Sequence, residues 1–211
     1  MVIIGLGGLT KDILHDLLQQ YSTAELLFFT EIENDANIAF FKNLNLQVSY
    51  TPGDIENHFA ITDKRFLVLV GNNIMREKLV LKYTSMGGTP HYFVSNSANI
   101  NIAHCTFSKT NTVILHSAMI SAGAVINEGA IINQFSYLGH DTVMGRYSFL
   151  GGYSCISNGT IGDFAFIGIK TVILPGRSVG NHSLVGAMSL INKSVGDRKK
   201  AYGTPVKEYP L

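Results

Sequence analysis

The feature that most constrains this 211-residue chain is a six-residue period that begins near Val113. Every sixth position gives Val113, Met119, Val125, Ile131, Tyr137, Val143, Phe149, Cys155, Ile161, Ile167, Ile173, Val179, Val185 and Ile191, all apolar or aromatic. In a chain that is 46% hydrophobic, chance produces such a run about once in tens of thousands of trials, so the hexad is structural. Many hexads continue with Gly and carry a small residue four positions after the anchor, as in IGDFAF, IGIKTV, VGNHSL and VGAMSL. A chain with that pattern turns a tight corner after each short strand. Three hexads close one triangular coil, and coils stack at the inter-strand spacing of about 4.8 Å. The pattern is that of a left-handed parallel β-helix. A lead-in one residue out of phase, anchored at Val94 and Ile100, starts the solenoid before residue 100. Residues 197–211, where the repeat stops, supply the cap that an open edge requires.

In this frame the fifth hexad position sits at the corner and should be small. Ser117, Gly123, Gly129, Gly159, Ala165, Thr171, Ser183 and Ser189 obey, whereas Phe135, Asp141, Tyr147 and Tyr153 break the rule in consecutive hexads. Local rules fail where function has been installed, which points to His140 and Asp141 in YLGHD. A histidine can take and return a proton near neutral pH, and an adjacent carboxylate fixes its tautomer. The bland alternative is a solvated corner histidine beside a hydrogen-bonding acid. His116 and His182 occupy outward hexad positions, and His15, His58, His91 and His104 lie in helices, loops or the lead-in. A zinc site needs three converging ligands, and the spacings among His116, His140 and His182 match neither a coil offset nor a close pair, so no metal is expected. Cys155 falls on an inward position of this frame and reads as a core thiol.

Residues 1–93 have a different texture and read as a small Rossmann-like βαβαβ domain, with the solenoid occupying 94–211. Val2 to Ile4 is a strand, GLGG a turn, and Ile13, Leu14, Leu17 and Leu18 line one face of a helix starting near Thr10. Strands at Leu26 to Thr30 and Phe66 to Val70 follow, the latter leading into a helix that carries Met75, Leu79, Val80 and Tyr83. Open α/β sheets bind ligands at the carboxyl ends of their strands, which makes Gly7, Gly8, Glu31, Asn72 and Asn73 candidate ligand contacts. Thr10 stands where a dinucleotide fingerprint has its third glycine, and an Asn before a helix can equally be a cap. Sixteen basic against fifteen acidic residues leave no footprint for nucleic acid or an anionic membrane, so the partner is a small molecule. The longest apolar runs are far too short to span a bilayer. The opening MVIIGLGG lacks a signal-peptide pattern and the two cysteines form no redox or metal motif, which fits the cytoplasm.

Taken together, GLGG, VGNNIMREK, the hexads, NQFSYLGHD and the terminal GTPVK resemble the bacterial nucleotide-linked amino-sugar N-acetyltransferases over nearly the whole chain. These enzymes acylate UDP-, dTDP- or GDP-linked 4-amino-4,6-dideoxysugars for surface glycans. The resemblance implies a homotrimer, a nucleotide held by the small domain at Gly7, Gly8, Leu9, Glu31, Asn72 and Asn73, and acetyl-CoA lying between neighbouring solenoids. It maps the catalytic pair onto His140 and Asp141 and a further polar residue onto Asn133. It places the pantetheine along Gly151, Gly152, Gly168 and Ile169, with Lys170 or Lys207 near the CoA phosphates. Two positions depart from it: Leu9 stands where many relatives have a histidine that touches the sugar nucleotide, and Phe149 stands where some have a second histidine. Acetyl-CoA is the cosubstrate, with no metal in the reaction that the resemblance implies. The competing functions are an O-acetyltransferase of the same fold, a γ-carbonic anhydrase-like metalloenzyme and a non-catalytic sugar-nucleotide binder.

Overall fold

The structure is a computed structural model, described for residues 1–32, 36–101 and 104–211. It divides into two compact units, Met1–His91 and Tyr92–Leu211. The first contains strands β1 (Val2–Ile4), β2 (Leu27–Phe29), β3 (Gln47–Ser49), β4 (Arg65–Val68) and β5 (Thr89–Pro90), and helices α1 (Gly8–Gln20), α2 (Ile38–Asn43), α3 (Pro52–Ile61) and α4 (Asn73–Ser85). The strands form one parallel sheet in the order β3-β2-β1-β4-β5. Val2, Ile3 and Ile4 are all buried, as expected for a central parallel strand covered on both faces. Pro90, which cannot donate to a ladder, sits on the edge strand. α1 starts at Gly8, two residues before the sequence-based estimate, and buries Thr10, Ile13, Leu14 and Leu17. Leu18, expected on that face, is exposed.

The second unit is the solenoid, with two-residue strands stacked in three parallel ladders. Their inward residues run Ile114, Ile132, Leu150, Ile167, Val185 in one ladder and Ile120, Leu138, Ile156, Ile173, Ile191 in the second. Ile126, Met144, Ile161 and Val179 form the third. All are buried in one continuous core. This corrects the frame read from the sequence. From Ile161 onward the expected anchors do point inward, but before it the inward residue lies one position later, because the step from Ile156 to Ile161 is five residues instead of six. The lead-in anchors Val94 and Ile100 already have the phase of these first coils, pairing with Ile114 and Ile120. Cys155 therefore lies on the outer face between Tyr137 and Val172, half-buried, and is not a core thiol; burial raises its pKa.

The corner rule changes with the frame. One residue per hexad takes the left-handed conformation, among them Ser117, Gly123, Gly129, Phe135, Asp141, Tyr147, Tyr153, Asn158, Phe164, Lys170, Gly176, His182 and Met188, with φ between 47° and 76°. The small residue is the next one: Ala118, Ala124, Ala130, Ser136, Thr142, Ser148 and Ser154 are all buried. Phe135, Asp141, Tyr147 and Tyr153 consequently break no rule, and they carry no functional signal by position alone. Left-handed backbone is unfavourable for L-residues, and here the corners from Gly123 to Met188 are tied to the coil beneath them, as where Asp141 N donates to Ala122 O at 3.1 Å. Buried hydroxyls bind the coil ahead: Ser136 Oγ donates to Gly151 O at 3.0 Å and Ser154 Oγ to Gly168 O at 3.1 Å. At the C-terminal end, Lys199–Tyr202 extends one ladder beside Leu184–Val185, and Lys207–Pro210 folds back on it antiparallel. Among the described residues no helix is long and apolar enough to cross a membrane.

Candidate active site

His140 and Asp141 stand on a solenoid corner, where the turn presents both side chains to solvent at 62% and 68% exposure. His140 Nδ1 lies 2.8 Å from Asp141 Oδ2. A carboxylate can only accept, so Nδ1 carries the proton of that hydrogen bond and Nε2 of the neutral ring keeps a free lone pair. The backbone holds the pair from both sides: Asp141 N donates to Ala122 O, and His140 O accepts from Asn158 N at 2.8 Å.

The corners fall on three edges. One carries Ser117, Phe135, Tyr153, Lys170 and Met188; the next carries Gly123, Asp141, Asn158 and Gly176; the third carries Gly129, Tyr147, Phe164 and His182. The glycines assigned to CoA by resemblance cluster on the first. Lys170 N donates to Gly152 O at 2.9 Å, and a Cβ on Gly151 would come within 2.6 Å of Ile169 N, so the coils stack this closely only because the residue is Gly. Ile169 and Lys170 are exposed there, while Lys207 is exposed in the terminal hairpin. Asn133 belongs to this first edge and is not brought to His140 within one chain, because the strand Tyr137–Leu138 separates the two corners. Asn133 Oδ1 and Gln134 Oε1 are buried without a hydrogen-bond partner. Phe149 faces outward and stacks on Phe166, with ring centroids 4.7 Å apart. His116 packs against Phe135 on the first edge and His182 stacks on Phe164 on the third, so His116, His140 and His182 do not converge within the chain.

In the first unit a cavity of about 490 Å³ opens at the carboxyl ends of β1, β2 and β4 and is lined by Gly7, Gly8, Leu9, Glu31, Gly71 and Met75 among others. Its floor is the glycine turn. Gly5 adopts φ 100°, with Val70 and Leu69 packed where a side chain would go. Thr10 Oγ1 donates to Gly5 O at 2.6 Å, which explains the Thr in place of a third glycine. Gly7 caps α1 without a side-chain acceptor, and there is open space beside Gly7 and Gly8. Glu31 Oε1 accepts from Lys82 Nζ at 2.6 Å and from Tyr83 Oη at 2.5 Å. Burial would raise the Glu31 carboxyl, but these two donors outweigh it and hold its pKa below the ordinary value. Burial and the bond to Glu31 push the Tyr83 hydroxyl well up. Asn72 and Asn73 are engaged elsewhere: Asn72 Oδ1 caps α4 through Met75 N at 2.9 Å, and Asn73 Oδ1 accepts from Arg76 Nη2 at 3.2 Å.

Sequence reasoning overlooked Arg76. Its side chain is fully buried, with Nη1 donating to Val70 O at 2.8 Å and Gly71 O at 3.3 Å, so it fixes the loop that walls the cavity. The available signal was its place on the inner face of α4 with Asn73, Val80 and Tyr83.

No protein-family model matches the chain, and no curated protein sequence does. Solved structures do. PerB from Caulobacter crescentus, in complex with CoA and GDP-perosamine, superposes with a TM-score of 0.85 at 23% identity, covering 99% of this chain and 96% of that one. The acetyltransferase domain of PglB from Neisseria gonorrhoeae FA1090, in complex with acetyl coenzyme A, gives 0.83 at 20% identity, covering 99% and 98%. WeeI from Acinetobacter baumannii AYE gives 0.84 at 20% identity, also covering 99% and 98%. The likeness extends over both units and shows the fold: a small parallel α/β unit followed by a left-handed β-helix.

Proposed function

We propose that the protein transfers the acetyl group of acetyl-CoA to the amine of a nucleotide-linked 4-amino-4,6-dideoxysugar. The observation that carries this is His140, a solvent-facing imidazole whose Nδ1 is committed to Asp141 and whose Nε2 is left as a base. A thioester is already activated, so the reaction needs the amine and carbonyl held at attack distance and a base for one proton. As the amine nitrogen bonds to the carbonyl carbon, Nε2 of His140 takes the proton, the C–S bond breaks and CoA leaves as its thiol or thiolate. Asp141 stabilises the imidazolium that forms.

The cavity of the first unit suits the sugar nucleotide: an uncapped helix N-terminus for phosphate, and Glu31 for base or ribose. The pantetheine amides match the unpartnered oxygens of Asn133 and Gln134 beside the glycine edge. Because that edge and the His140 edge do not meet within one chain, the active form is a homotrimer in which one protomer's histidine faces its neighbour's glycines. Exposed Met119, Val125 and Tyr137 supply apolar surface for that contact. Free Cys105 and Cys155 accord with work in the reducing cytoplasm. Further support comes from the Caulobacter perosamine N-acetyltransferase, of which histidine variants were solved with CoA and GDP-perosamine.

Incubation with acetyl-CoA and GDP-, dTDP- or UDP-linked 4-amino sugars should release free thiol with one of them. Absence of both turnover and a thermal shift with every nucleotide sugar would overturn the assignment.

A further inference from the structure

We propose that Gly123 is a positioning residue, which by lacking a side chain holds Asp141 against His140. Gly123 is the corner directly beneath Asp141 on the same edge, and the backbone of the two coils is joined there by Asp141 N donating to Ala122 O. A Cβ built on Gly123 would collide with Asp141 Oδ1 and lie 3.2 Å from both Cγ and the backbone nitrogen of Asp141. The other oxygen of the same carboxylate, Oδ2, is the one that meets His140 Nδ1. Moving Oδ1 therefore rotates or lifts the carboxylate off the imidazole.

The left-handed backbone at φ 76° favours glycine at position 123 but does not by itself require it. Ser117, Phe135 and Lys170 occupy equivalent corners at φ 56°, 58° and 58°, so a side chain is tolerated at a solenoid corner. Above Gly123 the carboxylate of Asp141 adds a second obstacle to a side chain. Gly176 provides the contrast: it stands on the same edge at φ 71°, with nothing within 4 Å of its added Cβ. Among the described residues, Asp141 is the ionisable group that pairs with His140, so the carboxylate that Gly123 admits is the one that sets the imidazole tautomer.

The kinetic part of this inference rests on the proposed acetyl transfer, and the spectroscopic part does not. Gly123→Ala, Gly176→Ala, Asp141→Asn and the double variant Gly123→Ala/Asp141→Ala are compared by 15N NMR of the imidazoles, without substrates. In the wild type and in Gly176→Ala, the His140 Nδ1 should show a protonated, hydrogen-bonded signature. Gly123→Ala should shift the tautomer balance as Asp141→Asn does, and kcat should fall about five- to fiftyfold in both while KM for acetyl-CoA stays unchanged. In the Asp141→Ala background the Gly123 change should add nothing further. If Gly123→Ala does not fold, the double variant should restore folding, because the colliding carboxylate has gone. A wild-type His140 signature in folded Gly123→Ala, or a double variant that still fails to fold, overturns the proposal. Loss of the NMR effect refutes Gly123, whereas absence of wild-type turnover refutes only the acetyltransferase assignment.

Discussion

Replacing His140 with Ala separates the chemistry from the fold. The imidazole is 62% exposed and makes one side-chain hydrogen bond, to Asp141, which is itself 68% exposed. Truncation opens no cavity and leaves behind no buried charge, so the stability change should stay within about 0.5 kcal/mol. For a chain of this size that is a Tm change of about 1–2 °C. The rate should behave differently. A positioned base is worth about 10²- to 10⁴-fold, or about 2.7–5.5 kcal/mol of transition-state stabilisation, several times the expected effect on folding. The assay is thiol release from acetyl-CoA at saturating sugar nucleotide, with acetyl-CoA binding by calorimetry and melting by circular dichroism on the same preparation. Unchanged binding and melting with kcat reduced at least a hundredfold is the expected result. A folded variant with near-normal kcat refutes the role of His140 as base, and a collapsed Tm would show that the corner is structural after all.

Ile167, fully buried in the solenoid core, should lose about 2–5 kcal/mol on replacement by Ala, whereas Met119→Ser on the outer face should change monomer stability far less; urea unfolding of both variants checks the inward register. Glu31 has its pKa held low in the folded state, so its ion pair adds stability above the ordinary value of about 4.3, and that stability is lost as pH falls through the lowered value. Melting curves of wild type and Glu31→Gln should accordingly converge as pH falls below the ordinary carboxylate range and through the lowered value, and a gap that widens on acidification would contradict the pairing with Lys82 and Tyr83. The compact unit Tyr92–Leu211, expressed alone, should keep CoA binding and lose sugar-nucleotide binding, and equal affinity for the sugar nucleotide in calorimetry would move that site out of the first unit.

The sheet of the first unit was legible where its strands are wholly apolar. Val2–Ile4 and the Phe66–Val68 part of β4 announce themselves by composition, as central parallel strands must. Gln47–Ser49 and Thr89–Pro90 do not, because an edge strand is paired on one side only and needs no such run. The glycine turn could be placed from its context between strand and helix, but the cavity above it depends on which strands are neighbours, and a linear pattern does not encode that. Asn72 and Asn73 illustrate the same limit. Their position at a carboxyl end was correctly located, while the direction of their side chains, toward Met75 and Arg76, depends on helix geometry. His140 and Asp141 were singled out through a corner rule that the structure overturns and through the family resemblance; their pairing itself was legible because adjacent residues need no tertiary information to be adjacent.

The mistaken frame is itself informative about the solenoid. A β-helix needs one apolar residue per hexad on its inner side, and from Ile114 to Ile156 the inner residue is always apolar. The frame one residue earlier also succeeded over this stretch, so the outward residues Val113, Met119, Val125, Ile131, Tyr137, Val143, Phe149 and Cys155 are apolar as well. After the five-residue step the outward set becomes Thr160, Phe166, Val172, Ser178, Leu184 and Leu190, with polar residues interspersed. Inner packing cannot require apolar residues on both faces of a strand, so the early coils carry a second demand. Val113 and Ile131 meet it by being buried outright, whereas Met119, Val125 and Tyr137 remain partly open to solvent. Those three lie on the coils that carry Gly123 and His140, beside the edge where the proposed homotrimer would set a neighbouring protomer.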